Sequence, residues 1–134
     1  FALAVKGGNN GESHNHNDTG SVTLWKDGRL VLIDIGVETY SAQTFSDRRY
    51  DIWTMQSGWH NLPSFGGIMQ RDGAAYAASD VRARMEPARA ALSMQLAAAW
   101  PPEARLRSFH RQAALIRGDS PVTVDPQLPG SADR

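Results

Sequence analysis

The segment "SVTLWKDGRLVLIDIG", residues 21–36, constrains the fold more than any other part of the chain. Two apolar runs, residues 21–26 and 29–35, flank the dipeptide Asp27-Gly28. A type I′ turn needs positive φ at both central residues, and Asp-Gly tolerates it. Residues 21–36 are therefore expected to form a β-hairpin. "FALAVKGG" at the start reads as another strand, since it alternates loosely and ends in glycine. Residues 37–67 are rich in aromatics, Ser and Thr without a sustained helical period, which predicts long loops with short strands. "GIMQRDGAAYAA" suggests a second hairpin around Asp72-Gly73.

The C-terminal half sets propensity against context. "VRARMEPARAALSMQLAAAWPPE" is Ala-rich, and propensity alone favours helix for part of it. Pro87 interrupts the run, Pro101-Pro102 stops it, and "RLRSFHRQAALIRGDSPVTVDP" returns to strand-like alternation. Strands are expected throughout. The last residues carry Pro, Gly and small polar groups and are expected to fray, which gives one domain over residues 1–125 and a disordered tail over 126–134. The fold class that follows is all-β, an antiparallel β-sandwich-like domain.

At 134 residues the chain is long enough for one domain with a hydrophobic core. Its 14 basic and 14 acidic side chains cancel, so no global field draws it to nucleic acid or an anionic membrane. Cysteine is absent, which excludes disulfides, thiolate metal sites and a Cys nucleophile. No apolar run reaches the ~18 residues of a membrane span. There is neither an initiating Met nor a signal peptide, so the chain is expected to be a piece of a longer protein.

The polar segment "NGESHNHNDTG", residues 10–20, holds two of the four histidines. His14 and His16, with Asp34 in the hairpin and His60 in "GWHNLP", are of the types that zinc accepts, namely imidazole nitrogen and carboxylate oxygen. Asp34 stands where "LVLIDIG" calls for a hydrophobe, and a carboxylate in such a strand is costly unless paired or metal-bound. Asp18, the rival carboxylate, more naturally makes an Asx turn. The plainer alternatives stay open: a solvated loop for the HxH pair, a hydrogen-bonded turn for His60, and for Asp34 an ion pair with an arginine such as Arg29 or the cap of a turn. His110 is given no special role. The four tryptophans are taken as core and rim aromatics, with Trp59 the best candidate for sugar stacking. A cupin-type site would need a Glu a few residues after HxH, and the next one is Glu38. "GES" around Ser13 lacks the G-x-S-x-G elbow of serine hydrolases, and "GGNNG" is no phosphate-cradling loop.

Taken together, H-N-H-N-D, the D-G hairpin ending in I-D-x-G, and W-T-M-Q-S-x-x-H-N-L-P closely resemble the C-terminal β domain of heparinase II/III-like polysaccharide lyases. The resemblance runs from Asn10 to Pro63 and more thinly through "RSFHRQAALIRGD". It implies a fragment of a larger enzyme with an N-terminal α/α toroid and C-terminal antiparallel sheets. Such enzymes cleave uronate-containing acidic polysaccharides, such as heparan sulfate or alginate, by β-elimination. It also implies that His14 belongs to the active site and that His16, Asp34 and His60 are zinc ligands. A periplasmic or secreted bacterial setting and a homodimer of the full-length enzyme accompany this expectation. The rival expectation is a non-catalytic, zinc-stabilised carbohydrate-binding or support domain. Thr19 and Val22 depart from the larger apolar residues expected there, and Gly58-Trp59 from Ala-Tyr. The catalytic tyrosine of such enzymes lies in the toroid, and Tyr40, Tyr50 and Tyr76 do not match it.

Overall fold

A computed structural model of the chain describes residues 1–118 and 122–127. Strands and short 3₁₀ turns account for all its regular structure. A three-stranded antiparallel sheet has the order β1 (Ala2–Val5), β3 (Val22–Lys26), β4 (Arg29–Leu32). A two-stranded ladder joins β2 (Asn9–Asn10) to β5 (Gly73–Ala77). The largest sheet is a meander of β6 (Ser79–Glu86), β7 (Arg89–Gln95), β8 (His110–Ile116) and β9 (Thr123–Gln127). Every strand pair is antiparallel. β1 lies over the meander: Leu3 and Val5 share an apolar groove with Ala83, Ala91, Leu92 and Leu115. Two facing antiparallel sheets make this a sandwich-type fold. Among the described residues no helix is long and apolar enough to cross a membrane.

The first hairpin forms as its sequence predicts, with Asp27 at φ 51° and Gly28 at φ 75° between β3 and β4. Its second strand stops at Leu32, however, short of the expected residue 35. The carbonyl of Ile33 accepts from the Asn61 side chain at 2.6 Å, and the Gly36 N–H donates to Asp34 Oδ2 at 2.9 Å. Those two bonds draw the chain off the sheet, so Asp34 sits in a turn beyond the strand.

Asp72-Gly73 does not form a hairpin. Gly73 opens β5, whose partner is β2, more than sixty positions earlier in the chain. The residues before it are committed elsewhere: Phe65 and Ile68 form an isolated bridge, and the Gln70 side chain is buried in a polar network. The Ala-rich segment is strand, as expected. Pro87 falls in the turn that joins β6 to β7, where its fixed φ costs no ladder bond. β6 is exposed along its whole length; its register slips between Ser79 and Arg82, and Asp80 there takes φ 50°. Of the expected tail, 126–134, residues 128–134 lie outside the described residues, while Pro126 and Gln127 belong to β9.

The core is Met94, Leu96, Ala99, Trp100 and Phe109, with Val5, Leu62, Phe65 and Ile68 packed against it. Phe65, Trp100 and Phe109 meet edge to face at centroid separations of 5.1–5.7 Å, the arrangement that aromatic quadrupoles favour. Gly20 presses onto this core. A Cβ at Gly20 would lie 2.5 Å from Leu96 Cδ1, and its φ of +93° suits glycine alone. The segment that follows β2 is thereby anchored at its far end.

Candidate metal and active site

Residues 11–20 form a loop gripped by three separate devices. The first is a buried polar network. Asn10 donates to Gln70 Oε1 (2.9 Å) and to the Arg71 carbonyl (3.0 Å), while its Oδ1 accepts from Thr19 Oγ1 (2.7 Å) and Thr19 N (3.3 Å). Gln70 Nε2 donates to the Thr19 carbonyl (2.8 Å), and Gln70 N to Ser57 Oγ (2.8 Å). Asn10, Thr19, Ser57 and Gln70 are all buried. This accounts for Thr19, since an apolar residue there would leave the buried Asn10 oxygen with only the 3.3 Å contact from the backbone N–H of residue 19.

The second device is cationic. Arg49 sets Nε and Nη2 on the Asn15 carbonyl at 3.0 and 2.9 Å and Nη1 on the Thr44 carbonyl at 2.8 Å. Lys6 Nζ donates to Asn15 Oδ1 at 2.9 Å and pairs with Asp18. Asp18 therefore spends its carboxylate on Lys6, and its turn closes through a backbone bond from Ser21 N to the Asp18 carbonyl at 2.9 Å. The third device is Arg111 of β8, 7% exposed, whose Nη1 donates to the carbonyls of Gly20 and Asn61. It ties the end of the loop, and the residue after His60, to the meander. Burial without a carboxylate partner lowers its pKa.

Within this frame the two neighbouring histidines diverge. His14 takes φ 57°, a left-handed conformation uncommon for a residue with a side chain. Its exposed imidazole stacks on Tyr40, with centroids 6.1 Å apart and planes 8° from parallel. His16 turns inward, its ring 5.3 Å from that of His60. His60 is 6% exposed, and Asp34, rather than pairing with Arg29, approaches its Nδ1 through Oδ1 at 2.7 Å. Three residues from distant parts of the chain thus converge, and His14 stands apart from them. His110 is on the exposed end of β8 beside Gln95, away from this group.

The protonation pattern follows from the partners. A carbonyl oxygen only accepts, so the contact of His60 Nε2 with the Thr54 carbonyl (3.1 Å) places a hydrogen on Nε2. Nδ1 then faces a carboxylate, and that contact is attractive only with a proton or a metal cation between the two atoms. For Asp34, burial raises the pKa, but bonds from His60 and the Gly36 N–H, with the charge of His60, outweigh it and hold the carboxyl below its ordinary range. For His16, burial and then the like charge of His60 lower the pKa, against the pull of Asp18. At neutral pH Asp34 is thus ionised and His16 neutral, the forms in which each binds a metal.

The donor set fits zinc in kind. A ligating histidine that gives its other N–H to a backbone carbonyl is the usual way of fixing the ring. Among the described residues the buried polar atoms Asn15 Nδ2, Asn17 Oδ1, Ser21 Oγ and Thr54 Oγ1, on segments that build the site, have no hydrogen-bond partner. The Asp34–His60 contact, at 2.7 Å, is tighter than in a loaded site. Two ligands on a tetrahedral zinc stand roughly 3.3 Å apart, given bond lengths of ~2.0–2.1 Å. Among the described residues no group of three or more His, Cys, Asp or Glu side chains is set to hold a metal. A cavity of about 320 Å³ lined by Lys6, Asp18, Ser21, Thr23 and Asp34 opens beside the cluster.

All four of these site residues lie within residues 1–62, which match the family model described as heparinase II/III-like, C-terminal. Residues 1–62, a little under half of the chain, are thus similar to the heparinase II/III-like C-terminal domain. The match starts at Phe1, nine positions before the resemblance visible in the motifs, and the second stretch around "RSFHRQ" falls outside it. A search of curated proteins finds no match for the chain. The family is one of polysaccharide lyases. Within the matched segment Tyr40, noted in the sequence only as a tyrosine unlike the toroid's, stacks on His14. Lys6, Arg49 and Thr54 also shape the site, and none of these three was singled out from the sequence. Arg111, which also shapes it, lies beyond the matched segment.

Proposed function

We propose that the chain supplies the β-domain side of the active site of a lyase that cleaves uronate-containing acidic polysaccharides by β-elimination. The observation that carries the reading is the divergence of His14 from His16. One imidazole is exposed on a loop held from three sides, while the other joins Asp34 and His60. β-Elimination requires removal of the uronate C5 proton, neutralisation of the adjacent carboxylate and protonation of the leaving oxygen. His14 is the group on this chain that would meet the substrate, either in proton transfer or as a donor to the carboxylate. The α/α toroid implied by the family would supply the catalytic tyrosine and the opposite wall. A zinc ion would be held by His16, Asp34 and His60. Its contribution is structural, because cross-linking three distant segments turns binding free energy into rigidity. An extracytoplasmic setting goes with such a polymeric substrate.

The test separates the two histidines. Metal analysis of the chain should find about one zinc per molecule, lost in His60→Ala. In the protein extended by its toroid, formation of unsaturated uronate is followed by near-ultraviolet absorbance. His14→Ala should abolish most turnover and leave zinc content and melting temperature unchanged. His16→Ala should lose the metal and the stability together. If His14→Ala strips the metal as completely as His16→Ala, the pair is a joint chelate and the catalytic role of His14 is withdrawn. If the extended protein binds the polysaccharide and yields no unsaturated product, the chain belongs to a binding or support domain.

A further inference from the structure

Four consecutive 3₁₀ turns, Ala42–Phe45, Arg49–Asp51, Trp53–Met55 and Ser57–Trp59, lead to His60. Their inner residues are sealed: Thr44, Thr54, Met55 and Ser57 are all buried. Two indoles on the same turns are not. Trp53 is 43% exposed and Trp59 55%, and their rings meet edge to face at a centroid separation of 5.0 Å and an interplanar angle of 83°. Large apolar rings left in water on an otherwise fixed backbone mark a contact surface. Each ring braces the other, so little side-chain freedom remains to be lost on binding.

The surroundings indicate which kind of partner fits. A specific protein interface covers about 800 Å² on each side. The two indoles are instead bordered along the chain by Arg48, Asp51 and Gln56. The two rings are nearly perpendicular, so a single indole face, braced by the edge of the other ring, is what lies within the polar rim. Such a face complements a pyranose, whose axial C–H groups form an apolar face and whose hydroxyls point outward. The location agrees. Trp59 immediately precedes His60, and Trp53 precedes Thr54, whose carbonyl accepts from His60 Nε2. Gly58 fits the same arrangement, because a Cβ there would come 3.0 Å from Met69 Sδ.

We propose that Trp53 and Trp59 form a stacking platform that holds one pyranose ring of the polysaccharide beside the His16–Asp34–His60 cluster. The proposal rests on the polysaccharide reading but not on catalysis by this chain. It is tested with the 134-residue chain and defined hexasaccharides of heparan sulfate and of alginate, by calorimetry and tryptophan emission. One of the two should bind with a change in emission and keep most of its affinity when the salt is raised, since stacking is not ionic. Trp53→Ala and Trp59→Ala should each weaken binding about tenfold, and Trp59→Phe should restore part of it. Both rings are half-exposed, so each variant should still unfold in one cooperative transition close to the parent's melting temperature. The platform is overturned if neither sugar binds, if the double variant binds as tightly as the parent, or if sedimentation shows that the pair mediates self-association. The lyase reading is judged separately by the appearance of unsaturated product, so either idea can fail without the other.

Discussion

Replacing Arg49 probes how the loop that carries His14 and His16 is held. The guanidinium makes three contacts: two on the Asn15 carbonyl, at 3.0 and 2.9 Å, and one on the Thr44 carbonyl, at 2.8 Å. Arg49→Met keeps most of the stem and removes the fork. A hydrogen bond to a charged group is worth about 1.5–3 kcal/mol net. The three share one half-exposed cation and do not add, so the expected loss is about 2–4 kcal/mol. For a chain of 134 residues, each kcal/mol moves the melting temperature by roughly 3–5 °C, which puts the fall near 10 °C. Because Asn15 separates the two histidines, the perturbation should also be visible locally: the His14 ring protons should lose the upfield shift that stacking on Tyr40 imposes. Arg49→Lys keeps the charge but cannot span both carbonyls, and should recover about half the loss. A melting temperature within about 2 °C of the parent in Arg49→Met, with the His14 resonances unmoved, would refute the clamp. Lys6 and the Asn10 network would then be sufficient to hold the loop.

Two further outcomes follow from the same residues. The pKa of His16 is lowered in the fold from its ordinary 6.5. Its contribution to stability is therefore complete above pH 6.5 and is lost as the pH falls from there towards the folded value. In chelator-treated buffer the melting temperature should drop between pH 7 and pH 5, and His16→Gln should flatten that slope. Thr19→Val preserves shape but removes the 2.7 Å bond to Asn10 Oδ1. A loss of about 1–3 kcal/mol is expected, read as a lower urea midpoint with an unchanged m-value.

What the sequence made legible was local. Asp27-Gly28 specifies a turn by its own conformational preference, and the strands on either side reinforce it, so the hairpin could be read directly. Asp72-Gly73 has the same chemistry, yet its strand is claimed by Asn9 and Asn10 from the other end of the chain. Single-sequence patterns do not encode that kind of competition. In the Ala-rich segment the reverse held: three prolines and the strand-like flanks outweighed helix propensity. The metal-type residues were visible because imidazoles and a misplaced carboxylate are rare and chemically pointed. The groups that aim them were not. Arg49, Lys6 and Arg111 read as ordinary surface cations until the fold brings them onto backbone carbonyls, and Thr54 acts only through its carbonyl. Divergence of the HxH pair was open in a loop of glycines and asparagines, and it is the left-handed φ of His14 that produces it.

The outermost strand of the meander has a bearing on solubility. An edge of eight exposed residues offers a row of free backbone donors and acceptors, which another molecule can extend into a continuous ladder. Two features of β6 oppose this. The register slip at Asp80 bends the edge, so a straight partner cannot follow it along its full length. Charges also occupy every second position, at Asp80, Arg82, Arg84 and Glu86. A second copy pairing antiparallel about the centre of this row would set Asp80 against Glu86 and Arg82 against Arg84, like charge facing like at each crossing. Directly opposed like charges destabilise a strand pair. In that register the edge discourages pairing with its own copy.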